Sequence, residues 1–288
     1  MKLTEFFQNE QPTLSFEVFP PKTDASFASV VEATEKIAAL HPDFMSVTYG
    51  AGGSNSKATI EVAANLIERY GVPVTAHLTC VGATVSALDW QLAKMQAAGI
   101  DNIMALRGDI PKDMPADTPW RFRHASELVA HIKAQGDFCV GGACYPEVHP
   151  ESRSQRDDLR HLKAKVEAGC DYLVTQMFFD NNIYYNFLYK ALECGIRVPI
   201  LPGVMPITRA NQISRAVALS GTNVPARFRQ IVDAFGDKPE AMKQAGIAYA
   251  TEQIVDLLAN GVRHIHVYSM NKPDVAAAIM QNVGALLR

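Results

Sequence analysis

Glu17 is an acidic residue near the end of an otherwise apolar segment, Leu14–Phe19. Leu14, Phe16 and Val18 alternate with it, which predicts a β-strand that is apolar on one face and carries the carboxylate on the other. If that second face lines the inside of a barrel, the carboxylate loses hydration, and this favours the protonated form that a general acid needs. A structural ion pair with an Arg or Lys of the barrel is the alternative interpretation.

Further polar groups follow other β-rich segments. Arg107 and Asp109 fall on the same face after one such segment, where they would contact a ligand or pair with each other. Gln176 is an amide among apolar neighbours, and a buried amide needs a hydrogen-bond partner. His77 has no second ligand at metal spacing, so we expect no metal site. The glycines of Gly50–Gly53 do not complete a GxGxxG dinucleotide motif.

Short β-rich segments alternate with helical patterns along the whole chain. The predicted strands are Leu14–Phe19, Phe44–Tyr49, Val74–Cys80, Asn102–Leu106, Phe138–Tyr145, Tyr172–Phe178, Val198–Val204 and His264–Tyr268. The predicted helices are Phe27–Leu40, Ala58–Arg69, Val85–Ala98, Ser126–Ala134, Gln155–Ala168, Asn181–Leu192, two or three within Arg209–Asn260, and Pro273–Leu287.

Eight strand–helix units spread over 288 residues favour an α/β fold of the (β/α)8 TIM barrel type. An open, doubly wound sheet is the alternative, because a sequence pattern does not show whether a sheet closes. No linker or change of composition marks a second domain, so we predict a single catalytic domain over residues 1–288. In a barrel the polar groups described above would gather at the carboxyl ends of the strands, where active sites lie.

Composition excludes several classes of partner. The formal charge of −3 gives no basic surface for nucleic acid, and no apolar stretch approaches the ~18 residues that a membrane-spanning helix needs. The five cysteines include no CxxC pair and are odd in number, which argues against a disulfide framework or a zinc ribbon. The N-terminal segment has no apolar core of a signal peptide. We expect a soluble cytoplasmic protein with no nucleic-acid or membrane partner.

The strand ends also carry longer motifs. In chain order they read SFEVFPPK, SVTYGAGGS, AHLTC, ALRGD, YPEVHPE, TQMFFD, LPGVMPI and YSMNK. Together they resemble the successive signatures of flavin-dependent methylenetetrahydrofolate reductases, from Ser15 to Lys272. The resemblance implies FAD at the barrel mouth and reduction of 5,10-methylenetetrahydrofolate to 5-methyltetrahydrofolate with NAD(P)H, the two substrates using one site in turn. It also implies that the enzyme is a homo-oligomer and that it functions in one-carbon metabolism and methionine biosynthesis.

The resemblance assigns roles to individual residues. Glu17 matches the general acid that promotes protonation of folate N10 and opening of the five-membered ring, which leaves a cation that accepts hydride. Asp109 matches a catalytic carboxylate that binds the pterin beside the flavin. Gln176, Gln212 and Lys272 match substrate contacts. The residues that match flavin contacts are Thr48, Tyr49, Ala51, His77, Arg107, Gly108, Asp109, Ala125, Tyr145, His149, Asp158 and Lys165.

Two positions depart from the family pattern. Lys272 stands where related enzymes often carry arginine, which changes a bidentate contact into one with a point charge. Ala216 stands where some relatives carry an aromatic residue that packs on the bound substrate, so the sequence does not settle whether NADH or NADPH is the donor. The chain ends just after the last predicted helix, and we therefore expect no response to S-adenosylmethionine, which longer relatives bind in a further domain.

Two other functions fit a barrel of this kind. The first is another barrel enzyme, either a folate-dependent methyltransferase, which would bind pterin without flavin and be colourless, or a proline-dehydrogenase-like flavoenzyme. The second is a non-catalytic barrel that binds folate or flavin as a subunit of a larger complex. The presence of Glu17, Asp109 and Gln176 together argues against the second, because a binding subunit needs no acid at a hydride-transfer site.

Overall fold

The strands form one parallel β-sheet. In the computed structural model, which describes residues 1–21, 23, 26–49, 56–111, 114–115, 118 and 120–288, every pair of neighbouring strands is parallel. The strands are β1 (Thr13–Val18), β2 (Phe44–Val47), β3 (Val74–Thr79), β4 (Asn102–Leu106), β5 (Cys139–Cys144), β6 (Tyr172–Thr175), β7 (Ile200–Leu201), β8 (Gly203–Val204) and β9 (His264–Tyr268).

The sheet closes at Pro202. The predicted single strand Val198–Val204 is wrong in one respect, because it forms two short strands on either side of this proline. Proline has no N–H to donate and so interrupts the ladder. β7 pairs with β6, whereas β8 pairs with β9, and the Pro202 carbonyl accepts a hydrogen bond of 3.0 Å from the His266 N–H. The interrupted strand therefore bridges both edges, which confirms the predicted barrel and excludes the open sheet.

Helices surround the barrel. Within the described residues they are α1 (Leu3–Phe6), α2 (Phe27–Ala38), α3 (Ser56–Tyr70), α4 (Val85–Ala97), α5 (Ala125–Gln135), α6 (Gln155–Glu167), α7 (Asn181–Glu193), α8 (Asn211–Ser220), α9 (Ala226–Phe235), α10 (Pro239–Ala259) and α11 (Pro273–Val283), followed by a 3₁₀ turn at Gly284–Leu286. Three of them, α8 to α10, lie between β8 and β9, as the predicted insertion required. No helix in this described part of the chain combines the length and the apolar character needed to cross a bilayer.

The main core lies between strands and helices. Leu14, Phe16 and Val18 are fully buried in it, which confirms the predicted outward face of β1. Four of the five cysteines are also buried and none forms a disulfide, as expected of small core residues. The predicted strand Tyr172–Phe178 ends at Thr175 because the Gln176 side chain accepts the Met177 N–H at 2.9 Å.

The lower end of the barrel, at the amino ends of the strands, is packed by α1, a helix that the sequence analysis missed. Leu3 is fully buried there with Phe44, Met104, Tyr172 and other apolar side chains. Its N–H donates to Asn102 Oδ1 at 2.8 Å. This packing fills the lower end of the barrel interior, and a polar surface pocket of about 480 Å³ lies outside it beside Met1, Lys2 and Asp101.

Candidate active site

The mouth contains one long cleft made of three adjoining cavities. We call them the outer, middle and inner cavities, of about 300, 370 and 430 Å³. Ala143 and Tyr145 line all three, which makes the cleft continuous. Lys165 lines the outer and middle cavities, and Glu17 lines the inner one. A cleft of this length at the carboxyl ends of barrel strands is where ligands bind in this architecture.

Glu17 points from β1 into the inner cavity, as predicted. Its Oε2 lies 3.6 Å from His77 Nε2 and 3.7 Å from His266 Nε2, distances too long for hydrogen bonds. Within the described residues, no Arg or Lys nitrogen lies within 4 Å of the carboxylate, so the predicted alternative of an Arg or Lys ion pair finds no support there. The main chain is held instead, since Ser269 Oγ donates to the Glu17 carbonyl at 2.5 Å. The carboxylate is left facing the cavity.

His77 is neutral at neutral pH. Burial lowers its pKa to about 4, although the nearby Glu17 carboxylate opposes that shift. Its Nε2 lies 2.6 Å from Ser46 Oγ. The imidazole therefore supplies a polar, uncharged wall between the middle and inner cavities, both of which it lines.

His266 was missed by the sequence analysis. It is buried on β9, with its Nδ1 2.8 Å from Ser15 Oγ and its ring stacked on Phe44. The sequence of the segment His264–Tyr268 does indicate an inward position for this residue. An alternation of period two places His266 on the face opposite to the outward Ile265 and Val267.

One interpretation of the sequence paired Arg107 with Asp109, but the structure pairs Arg107 with another residue. Its guanidinium forms a bidentate ion pair with Glu151, at 2.5 and 2.7 Å, which raises the pKa of Arg107. Asp109 is exposed and lines the middle cavity. Gly108 between them has φ +87°, and a Cβ there would lie 2.8 Å from Val81 Cγ1, so this turn requires glycine.

Lys165, like Arg107, is a cationic residue that lines both the outer and the middle cavities. Its Nζ donates to the Ala143 carbonyl at 2.6 Å, and burial lowers its pKa. Asp158 supports the wall of the outer cavity, because its carboxylate accepts hydrogen bonds from the His149 N–H at 3.2 Å and from Ser152 Oγ at 2.9 Å. The structure thus places Asp158 as a residue that orders the loop carrying His149.

The remaining predicted flavin contacts divide into three groups. Thr48 lines the middle and inner cavities, and Ala125, the first residue of α5, lines the outer and middle ones. Tyr49 lines the middle cavity, while its hydroxyl donates to Gln91 of α4 at 3.0 Å. Ala51 lies outside the described residues.

The predicted substrate contacts lie on the far side of the cleft. Gln176 lines the inner cavity together with the half-buried Tyr145, whose pKa is raised chiefly by burial. Gln212 Oε1 accepts from the Thr208 N–H at 2.9 Å, and Lys272 Nζ donates to Thr208 Oγ1 at 2.5 Å. Gln212 and Lys272 are therefore linked through Thr208, although only Gln212 lines the inner cavity.

Ala216 is part of the apolar wall of the inner cavity. It is 2% exposed and packs in a small cluster with Phe179, Ile207, Phe228 and Met242, which joins α8, α9 and α10 to the rim of the barrel. Its position one turn after Gln212 on α8 brings both residues to the cavity, as the family pattern implied.

Fold and site together define a β/α-barrel protein whose ligand cleft runs across the carboxyl ends of its strands. The model of the family described as methylenetetrahydrofolate reductase matches residues 2–284. The chain belongs to this family.

Individual relatives agree with that assignment. The chain is 34% identical over 274 residues to 5,10-methylenetetrahydrofolate reductase of Escherichia coli K12, covering 95% of this chain and 91% of that protein. It is 35% identical over 298 residues to methylenetetrahydrofolate reductase (NADH) 1 of Arabidopsis thaliana, covering 99% of this chain but only 50% of the plant protein. The chain thus spans about half the length of its plant relatives.

A solved structure has the same fold. It is a protein of Clostridium thermocellum described as binding two copies of 5-methyl-5,6,7,8-tetrahydrofolic acid. The TM-score is 0.70 with 99% of each chain covered, and the sequence identity is 16%. At this identity the likeness concerns the fold alone.

Proposed function

We propose that the protein reduces 5,10-methylenetetrahydrofolate to 5-methyltetrahydrofolate with FAD as its cofactor and NAD(P)H as hydride donor. The observation that carries the proposal is the continuous cleft from Lys165 to Glu17. It joins a more polar half, which Lys165 lines, to a more apolar half, which the Glu17 carboxylate faces. Family membership supports a folate in this cleft.

The outer and middle cavities fit a flavin dinucleotide. Lys165 offers a cation to phosphate oxygens, because its hydrogen bond goes to a carbonyl and leaves its charge available to an anion. Arg107 lines the same two cavities and would contact the flavin from its ion pair with Glu151. The other proposed contacts are Thr48, Tyr49, Ala51, His77, Gly108, Asp109, Ala125, Tyr145, His149 and Asp158. When bound, FAD supplies a two-electron carrier that takes a hydride from the nicotinamide and gives one to the folate.

The inner cavity would receive the folate. Glu17 would hold a proton near N10 and so promote opening of the five-membered ring, since a positioned acid lowers the barrier for a poor leaving nitrogen. The exposed Asp109 carboxylate, in the adjoining cavity, would stabilise the positive charge on the opened folate. Gln176 would orient the ring, and Gln212 and Lys272 would hold the remainder of the folate.

A single inner cavity of about 430 Å³ also supports use in turn by the two substrates. A nicotinamide bound in this cavity would have to leave before a pterin could react there, and a pterin would have to leave before a nicotinamide could. Kinetics in which each product leaves before the next substrate binds are expected from this arrangement.

The absorption spectrum of the purified protein tests the proposal. We expect a yellow protein that releases FAD on acid treatment and is bleached by anaerobic NADH or NADPH, the faster of the two being the donor. The colour should return when methylenetetrahydrofolate is added. A colourless protein that takes up no added FAD would contradict the proposal and would favour a methyltransferase-type barrel.

Lys165→Met adds a residue-level control. Loss of a cation that contacts phosphate should weaken FAD binding by about tenfold or more. Lys163→Met changes the same residue type on the same helix at a position 46% exposed and should leave FAD binding unchanged. Equal FAD affinity in the two variants would remove Lys165 from the cofactor site.

A further inference from the structure

The chain leaves β9 through two strained residues. Met270 has φ +53° and Asn271 has φ +52°, and both are consecutive non-glycine residues in the left-handed region. Such a conformation is unfavourable for L-residues with side chains and persists only where surrounding contacts enforce it. Asparagine tolerates it better than most residues, whereas methionine gains nothing from it. The strain is therefore concentrated at Met270.

Asn271 supplies the enforcing contacts. Its Oδ1 accepts from the Phe19 N–H and its Nδ2 donates to the Phe19 carbonyl, both at 2.9 Å. Its own N–H donates to Ser269 Oγ at 3.2 Å, and that hydroxyl donates to the Glu17 carbonyl. The end of β9 is thus fastened to the end of β1 beside the proposed acid.

The strain directs Met270 toward the inner cavity. This side chain lines the cavity although it is 37% exposed. Met177 and Met205, which line the same cavity, pack against the cluster that contains Ala216. An apolar side chain that is strained, exposed and outside the core has no role in stability that would explain its position.

We propose that Met270 is a shared binding contact for the two rings that occupy the inner cavity in turn, and that Asn271 is its positioning residue. The identity of the rings, pterin and nicotinamide, rests on the proposed function. Methionine is flexible and polarisable and makes favourable contacts with aromatic rings. Met177, Met205 and Met270 can therefore adjust to two rings of different shape, where the wall at position 216 carries only alanine.

Truncation of Met270 tests the proposal with the holoenzyme. In both Met270→Ala and Met270→Gly we expect the Kd for 5-methyltetrahydrofolate and the apparent Kd for NADH in flavin reduction to rise about tenfold, as loss of a thioether contact that the bound ring would bury predicts. FAD content should stay the same, because Met270 lines neither the outer nor the middle cavity.

Thermal stability separates binding from structure. Met270→Gly relieves the left-handed strain, so its Tm should rise by roughly 2–4 °C, whereas Met270→Ala keeps the strain and should not gain. We therefore expect Met270→Gly to be more stable than the wild type and to bind both rings more weakly. A change in Kd of less than twofold in both variants would overturn the proposal.

Two further variants complete the design. Asn271→Gly keeps the backbone conformation accessible but removes the clamp on Phe19, and it should weaken ring binding with Met270 still present. Met280→Ala, at a half-buried methionine of α11 that lines none of the three cavities, should leave both Kd values unchanged. A wild-type protein that binds neither FAD nor 5-methyltetrahydrofolate would overturn the proposed function and this inference with it, whereas wild-type binding with unaltered Met270 variants would overturn only the inference.

Discussion

The two ends of the barrel differ in whether their polar side chains are hydrogen-bonded to other groups of the protein. At the lower end, the Tyr172 hydroxyl donates to Thr75 Oγ1 at 2.9 Å and Asn102 Oδ1 accepts the Leu3 N–H at 2.8 Å, so that polar atoms satisfy one another. At the mouth, the Glu17 carboxylate stays more than 3.5 Å from the nearest imidazole nitrogens. Polar atoms that are fully paired inside the protein stabilise it, and those left unpaired at a cavity are available to a ligand.

Backbone strain is concentrated at the mouth, where three of the four non-glycine residues that have positive φ in the described part of the chain stand; the fourth, His41 with φ +54°, lies at the lower end. Val148 has φ +75° and Met270 has φ +53°, and both residues stand at the mouth. Val148 lies between Glu147, whose carboxylate accepts from Thr222 Oγ1 at 2.5 Å, and His149, whose N–H is held by Asp158. Each strained residue thus sits next to contacts that enforce it. The mouth is held in its shape at a cost in stability that the packed lower end offsets.

The largest expected effect on stability lies at the lower end. Leu3→Ala should lower the free energy of unfolding by about 2–5 kcal/mol, because it leaves a cavity in a fully buried cluster. Leu286→Ala, at a leucine 45% exposed, should change it by less than about 0.5 kcal/mol. Urea unfolding measures both. FAD bound per folded molecule should be unchanged in each, and loss of FAD from Leu3→Ala would show that the two ends are not independent.

Acid should destabilise the protein through His77. Burial lowers its pKa to about 4, so that the unfolded chain takes up a proton below pH 6.5 while the folded chain does so only below about pH 4. Stability should therefore fall between pH 6.5 and 4, by up to about 3 kcal/mol from this residue. His77→Gln should reduce the slope of that part of the pH profile, and the exposed His161→Gln should not. The slope that remains comes in part from His264, whose pKa burial also lowers to about 4. Identical slopes in the two variants would contradict the burial account.

The smallest expected effect concerns Val148. Val148→Gly removes the left-handed strain of a β-branched residue and should raise the free energy of unfolding by about 1 kcal/mol. Val148→Ala shortens the side chain but keeps the strain, so it serves as the control. We also expect weaker FAD binding in Val148→Gly, because the backbone that carries His149 becomes less ordered. Titration of the apoprotein with FAD measures this. Tighter FAD binding by Val148→Gly than by the wild type would refute the hypothesis that the strained backbone at Val148 positions His149 for FAD.

Strand and helix patterns allowed most of the barrel to be predicted, because alternation in segments such as Leu14–Val18 reflects burial that the structure confirms. Four features escaped prediction. Helix α1 has four residues, too short for a periodic signal, and the break at Pro202 and the Arg107–Glu151 pair depend on long-range contacts. The inward position of the buried His266 could have been predicted, because it follows from the period-two alternation of its strand.

Separate measurement of the two half-reactions in Glu17→Gln tests the central claim most directly. The substitution keeps the size of the side chain and removes the acid. Hydride transfer from the nicotinamide to the flavin needs no proton from the protein, so flavin reduction in stopped-flow experiments should persist within about tenfold of wild type. Reoxidation by methylenetetrahydrofolate should fall by about 10²-fold or more, as loss of a general acid predicts. Equal losses in both half-reactions, or none in either, would contradict the role assigned to Glu17.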